Sequence, residues 1–271
     1  MMQHQDIPHR PDWTIDQNWG KYTSAEHGMW RTLFQRQSEI LKNRATPEFM
    51  DGLSKLKVAA NGIPDFRRLS DILMKHTGWQ VVPVPCIIPD EVFFEHLANK
   101  RFVSTCFIRR PDQMDYLQEP DVFHDTFGHV PLLTQPFYAE YMQAYGQAGL
   151  QALKSGNLKK LTRLFWYTIE FGLIKRKEGL RIYGAGIVSS KGESIYSLED
   201  SKPKRIAFDL KRVMQTDYYI DRYQDCYFVI DSFEQLFQGL SQNLLAIYDE
   251  LKDKPDIPAG YVLSSDRKVA A

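Results

Sequence analysis

The segment Leu164-Phe-Trp-Tyr-Thr-Ile-Glu170-Phe-Gly-Leu-Ile174 constrains this chain more than any other. Read as a helix it is apolar almost all the way round, and such a helix belongs in an interior rather than on a surface. Glu170 is its one residue charged at neutral pH, and its helical neighbours three and four positions away are Trp166, Tyr167, Leu173 and Ile174. A carboxylate in that setting needs a cation or a strong hydrogen-bond donor, because an unpaired buried charge is expensive. Either a buried arginine or lysine pairs with it, or a metal ion does.

A second segment bears on that choice: Glu119-Pro-Asp-Val-Phe-His124-Asp-Thr-Phe-Gly-His129-Val-Pro131. Histidines five residues apart lie about 140° apart around a straight helix, with a rise of roughly 7.5 Å, so they cannot face one ion from it. A helix ending near Gly128, with Pro131 beyond, would let them converge. Alone the pair reads equally well as two unrelated polar histidines. With Glu170 it forms the set of two imidazoles and one carboxylate used by non-heme Fe(II) oxygenases, which leaves open coordination positions. Cys86, Cys106 and Cys226 are far apart with no CxxC pair, which argues against a thiolate metal site or a disulfide framework.

Lys+Arg and Asp+Glu both number 34, so no net field draws the chain to nucleic acid or anionic lipid. No run of 18 apolar residues exists to span a membrane, and Met1–Trp13 resembles neither a signal peptide nor a lipidation site. These features predict a cytoplasmic protein whose partner is a small molecule or another protein. Helix signals dominate the rest. Thr23 and Glu26 form a capping box ahead of an apolar stripe through Trp30, Leu33 and Leu41. Thr46-Pro47 opens a second helix, and a third follows Pro64 and stops at Gly78. Further helices are expected near Asp90–Ala98, Gln135–Lys154, Leu158–Lys177 and along the stripe Phe233–Leu251, with strands within Trp79–Pro89, Arg101–Arg109 and Leu180–Val188. The expected architecture is mainly α with a few short strands (α+β), organised as an N-terminal arm, residues 1–20, and a single catalytic domain, residues 21–271.

From Tyr22 to Phe233 the sequence resembles the pterin-dependent aromatic amino acid hydroxylases. The motifs that carry the resemblance are Tyr22-Thr-Ser-Ala-Glu26-His, Phe107-Ile-Arg109-Arg, Glu119 through Pro131, Phe165-Trp-Tyr-Thr-Ile-Glu-Phe-Gly172 and Tyr183-Gly-Ala-Gly-Ile-Val-Ser-Ser190. The resemblance implies Fe(II) at His124, His129 and Glu170, and hydroxylation of an aromatic amino acid by O2 and a tetrahydropterin. It assigns the substrate's α-carboxylate to Arg109 with help from Ser189, and the walls around its ring to Pro120 and Trp166. It assigns the pterin to Phe93, Ile88 and Asp125, and catalytic surroundings to Glu119, Phe165 and Glu193. Ile220 aligns with a position that is aspartate in the tyrosine-hydroxylating branch, so phenylalanine is the expected substrate. A tryptophan or tyrosine hydroxylase, a metal-dependent hydrolase and a non-catalytic scaffold are the other readings. The length matches the catalytic part of the animal enzymes, and a monomer or homodimer is expected. Leu117-Gln118 stand where animal relatives have Thr-Pro, which removes one substrate-contacting hydroxyl. The glycines of Gly184-Ala-Gly186 lack the rest of a dinucleotide fingerprint and are expected to form a tight backbone bend.

Overall fold

In the computed structural model, which describes residues 7–57, 61–115, 117 and 119–270, the chain from Ser24 to His76 forms three helices: α1 (Ser24–Ile40), α2 (Pro47–Leu56) and α3 (Phe66–His76). Their starts follow the sequence signals. Thr23 and Glu26 cap α1 reciprocally, and Thr46 caps α2 with Pro47 in its first turn. Met1–Asp6 of the expected N-terminal arm lie outside the described residues. The remainder is sewn to the body, since Ile15 N–H donates to Pro83 O and the Trp19 indole donates to Ile63 O at 2.7 Å.

β1 (Gln80–Val84), α4 (Asp90–Ala98) and β2 (Arg101–Thr105) form a parallel strand–helix–strand unit, with Gln80 opposite Arg101 and Val84 opposite Thr105. The long α5 (Pro136–Lys154) then crosses the core with Tyr138, Tyr141, Met142 and Tyr145 buried. α5 and α4 approach closely because Gly149 has no side chain: a Cβ there would stand 2.0 Å from the Phe94 ring. α6 (Leu158–Phe165) leads into the centre of the molecule.

The second half adds β3 (Leu173–Arg176), β4 (Gly179–Ile182), α7 (Ala185–Val188), α8 (Lys191–Glu199), β5 (Lys204–Ala207), α9 (Leu210–Gln215), β6 (Cys226–Ile230), α10 (Phe233–Leu240) and α11 (Leu244–Leu251). Its four strands make one sheet in the order β4-β3-β6-β5, with β3 antiparallel to β4 and parallel to β6. One continuous apolar cluster runs from Trp30 to Leu251 through helices and sheet alike. The mainly helical α+β class expected from sequence is the class observed.

Several elements differ from their sequence readings. The helix expected to run through Leu158–Lys177 ends by Glu170, and Leu173–Arg176 is a strand. Leu173 and Ile174 are buried on a sheet rather than along a helix, a distinction that a continuous apolar run cannot make by periodicity. The strand expected over Leu180–Val188 stops at Ile182 and becomes α7. The strand read over Arg101–Arg109 stops at Thr105. The C-terminal stripe is two helices, α10 and α11, the second restarted by the Asn243 side chain accepting from Ala246 N–H.

Candidate active site

Both ligand-bearing segments are wound more loosely than α-helices. His124–His129 is a π-helical turn continued by a 3-10 stretch, Val130–Thr134, and Trp166–Glu170 is a second π-helical turn closed by Phe171 N–H donating to Trp166 O at 2.8 Å. A turn closed from i to i+5 brings the fifth residue round beneath the first. This corrects the expectation that a helix end near Gly128 frees His129: the helix widens instead of ending. His124 Nε2 and His129 Nε2 come within 3.3 Å of each other, with the two rings nearly perpendicular. Glu170 Oε1 lies 3.1 Å from His129 Nε2, and Glu170 Oε2 lies 3.7 Å from His124 Nε2. These three form the cluster of possible metal donors among the described residues. Neighbouring ligands about 2.1 Å from a first-row dication stand about 3 Å apart when their bonds meet at right angles, so the donor set fits one such ion.

The surroundings hold those side chains in place. Gly184 begins α7 directly behind Glu170, and a Cβ there would sit 2.4 Å from both Glu170 O and Gly172 N. The Gly184-Ala-Gly186 segment, expected to form a tight bend, instead leads from extended backbone into α7 as a close backbone approach, and it brings the Gly186 N–H to the Glu170 carboxylate. Burial works to raise the Glu170 pKa, but the two imidazoles and that N–H hold it below the usual carboxylate value. Burial pushes His124 down to about 4, which keeps its imidazole neutral and able to bind a metal. Ser189 Oγ lies 2.9 Å from His124 Nδ1 and donates to Ala185 O, which fixes the ring plane. The Asp125 carboxylate accepts from Thr105 N–H at 2.7 Å and from Thr105 Oγ1 at 3.0 Å, tying the π-helical turn to the end of β2. Burial pushes this carboxyl up to about 7.

Two cavities meet at the cluster. The larger, about 560 Å³, is lined by Arg109, Glu119, Pro120, Trp166, Ser189, Glu193 and Ile220 among others. The smaller, about 210 Å³, is lined by Ile88, Phe93, Phe102, Asp125, His129 and Phe165 among others. Pro120, His124 and Glu170 line both. Every residue that the resemblance assigned to the amino acid lies on the first cavity, and every one assigned to the pterin lies on the second. Ile220 is at the rim, 71 % exposed.

Sequence reading missed Asp121. Asp121 holds Arg109, the residue that the resemblance assigned to the α-carboxylate: Nε and Nη2 donate to the Asp121 carboxylate at 2.8 Å each, and Arg109 N–H donates at 2.9 Å. The same carboxylate accepts from His124 N–H at 3.0 Å. Asp121 is 0 % exposed and Arg109 is 8 % exposed. Nη1 donates to Met114 O at 3.5 Å, and Arg109 lines the larger cavity with what remains of its guanidinium. The sequence did contain a signal, an acid three residues before His124 and twelve after a buried arginine.

The site has the features of an iron oxygenase with room for two organic molecules. Residues 16–252 match the family described as biopterin-dependent aromatic amino acid hydroxylase, and the chain belongs to that family. It is 56% identical over 257 residues to a phenylalanine-4-hydroxylase of Ralstonia nicotianae, spanning 95% of this chain and 82% of that protein. Two crystal structures of Chromobacterium violaceum phenylalanine hydroxylase superpose on it with TM-scores of 0.94. One, with iron and phenylalanine bound, is 48% identical and covers 98% of this chain and 97% of that one. The other, with iron (III) and 7,8-dihydrobiopterin, is 50% identical and covers 98% and 96%.

Proposed function

We propose that this chain hydroxylates L-phenylalanine to L-tyrosine, using O2 and a tetrahydropterin at Fe(II) held by His124, His129 and Glu170. The observation that carries the reading is the convergence of three metal-binding side chains at the junction of two cavities, one lined for an amino acid and one for a flat heterocycle. Iron and reduced pterin together supply the activation of O2 when bound.

The protein's part is to bind, orient and exclude water. Two neutral imidazoles and one carboxylate leave a bound Fe(II) with residual positive charge and open positions. Arg109, steadied by Asp121, offers N–H donors to the α-carboxylate, and Ser189 lies beside it in the same cavity. Pro120 and Trp166 wall the ring next to Glu170. On the other side Phe93 offers a face for the pterin, while Ile88 and Phe165 keep that cavity apolar around Asp125. Ile220 offers no acceptor to a tyrosine hydroxyl, and Asp221 beside it is paired with Arg222 at 3.0 Å. The protein therefore offers a phenol there no hydrogen bond beyond what water gives it, and phenylalanine is the proposed substrate.

In this reading residues 21–271 act as one catalytic unit behind the arm of residues 1–20. The protein is a cytoplasmic monomer or homodimer, in keeping with Cys86, Cys106 and Cys226 not being joined in disulfides. Among the described residues no helix is long and apolar enough to cross a membrane. The test is anaerobic reconstitution with Fe(II), addition of tetrahydropterin and O2, and product analysis with phenylalanine, tyrosine and tryptophan. Tyrosine from phenylalanine is expected at the highest kcat/KM, with tryptophan slower and tyrosine itself slowest. His124→Ala, His129→Ala and Glu170→Ala should each lose iron while keeping the fold. Normal iron content in any of the three removes that residue from the site, and a higher kcat/KM for tyrosine or tryptophan overturns the substrate.

A further inference from the structure

Trp166 is fixed at its polar edge by a residue that belongs to none of the sequence motifs. Its indole Nε1–H donates to Gln224 Oε1 at 3.1 Å, and its face is stacked on Tyr218 with centroids 4.4 Å apart. The Gln224 amide nitrogen points the other way, donating to Tyr219 O at 2.8 Å and to Arg222 O at 3.3 Å. One amide thus joins the cavity's tryptophan wall to the segment that carries Ile220. Gln224 is only 1 % exposed, so water cannot replace its contacts.

The segment has fixed ends and an exposed middle. At its start Asp217 is ion-paired with the buried Arg163, and Asp217 O accepts from Tyr167 OH at 2.6 Å. At its end Gln224 N–H donates to Glu193 Oε1 at 3.2 Å, and Tyr227 OH donates to the same oxygen at 2.7 Å. Between these anchors Ile220 and Tyr223 are exposed at the rim of the larger cavity. Among the described residues, only the Gln224 side chain bridges this middle stretch to Trp166 through paired hydrogen bonds, accepting on one side and donating on the other.

We infer that Gln224 is a positioning residue for the substrate ring: it sets the spacing between Trp166 and the Ile220 segment, and so shapes the cavity for a bare aromatic side chain. The inference rests on the phenylalanine-hydroxylating reading above. The amide is required because the bridge needs an acceptor and a donor on one planar group. A carboxylate cannot donate to the two carbonyls, and a thioether can neither donate nor accept strongly.

The experiment uses the full chain loaded with Fe(II), comparing the parent, Gln224→Met, Trp166→Phe and the double variant. In Gln224→Met the phenylalanine KM should rise about tenfold, the scale of leaving one buried polar group unmet. The tetrahydropterin KM should stay within about twofold, and less tyrosine should form per pterin oxidised. Calorimetric binding of phenylalanine without pterin should weaken by the same factor. Trp166→Phe removes the indole N–H from the other side, so the double variant should lose less than the sum of the single losses. If Gln224→Met does not accumulate folded, Gln224→Asn takes its place, with the same chemistry one methylene short. A lower melting temperature with unchanged phenylalanine KM, binding and coupling would make Gln224 scaffold only and overturn the inference. Additive losses in the cycle would overturn it as well. A parent that neither binds nor hydroxylates phenylalanine overturns the functional reading, and this inference falls with it.

Discussion

Asp121→Asn is the substitution whose effect the structure defines most fully. The aspartate accepts four hydrogen bonds: Oδ2 takes Arg109 N–H and Nε–H, and Oδ1 takes Arg109 Nη2–H and His124 N–H. In asparagine one of those oxygens becomes an NH2, so two bonds are lost and a donor faces two donors whichever way the amide is turned. The Arg109 guanidinium also loses its counter-charge in a buried site. Removing one partner of such a pair costs about 3–5 kcal/mol. For a chain of this size that corresponds to a melting temperature lower by about 10 °C. Because Arg109 then wanders, the phenylalanine KM should rise about tenfold while the tetrahydropterin KM changes little. Calorimetric melting and steady-state kinetics read both effects. The pH dependence gives a further check. Burial opposes the charge on Asp121, but Arg109 and the backbone N–H groups hold its carboxyl below the usual value. Its stabilisation is therefore fully present above about pH 4 and lost only as pH falls through the depressed folded value. The gap between parent and variant should be flat from pH 6 to about 8. A variant melting within about 2 °C of the parent, or a gap that widens on acidification, would refute the reasoning.

Three further outcomes are expected. Arg109→Lys keeps the charge but loses the planar fork, so phenylalanine KM should rise at least about tenfold with pterin KM nearly constant; a larger effect from Arg110→Lys would move the assignment one residue on. Phe93→Ala removes an aromatic face from the smaller cavity and should raise the tetrahydropterin KM about fivefold to tenfold; an unchanged value would leave Phe93 as packing alone. Glu193→Gln tests a carboxyl that burial pushes up to about 7, against hydrogen bonds from Tyr227 and Gln224 N–H. The folded chain then holds the proton more tightly than the unfolded chain, so parent stability declines as pH rises from about 4.5 to 7. The variant should match the parent near pH 4.5 and exceed it by about 1–3 kcal/mol at pH 8, and a pH-independent gap would contradict this.

The legible parts of this chain were those set by short-range chemistry. The Thr23–Glu26 box, the Thr46-Pro47 start and Asp90–Ala98 are local signals, and the structure has all three elements. The meeting of His124 and His129 with Glu170 was legible because a lone carboxylate in an apolar segment demands a partner. The way they meet was not, because a π-helical turn differs from an α-turn by backbone hydrogen bonding that no residue pattern announces. β6 (Cys226–Ile230) escaped notice because a strand buried along its whole length shows no alternation. Asp121 and Gln224 act through partners 12 and 58 residues away in sequence, and such pairings exist only once the chain is folded.

Pro120, His124 and Glu170 each line both cavities, so under the proposed function the amino acid and the pterin would meet across the same three side chains. Neither occupant can shift that wall without altering the room left for the other. Whatever factor phenylalanine imposes on pterin affinity, the pterin must impose on phenylalanine affinity, since the two describe one thermodynamic cycle. The junction is thus a point of exchange as well as a place for a metal. A change at Pro120 that leaves all three metal donors untouched is expected to alter the coupling between the two ligands along with their separate affinities.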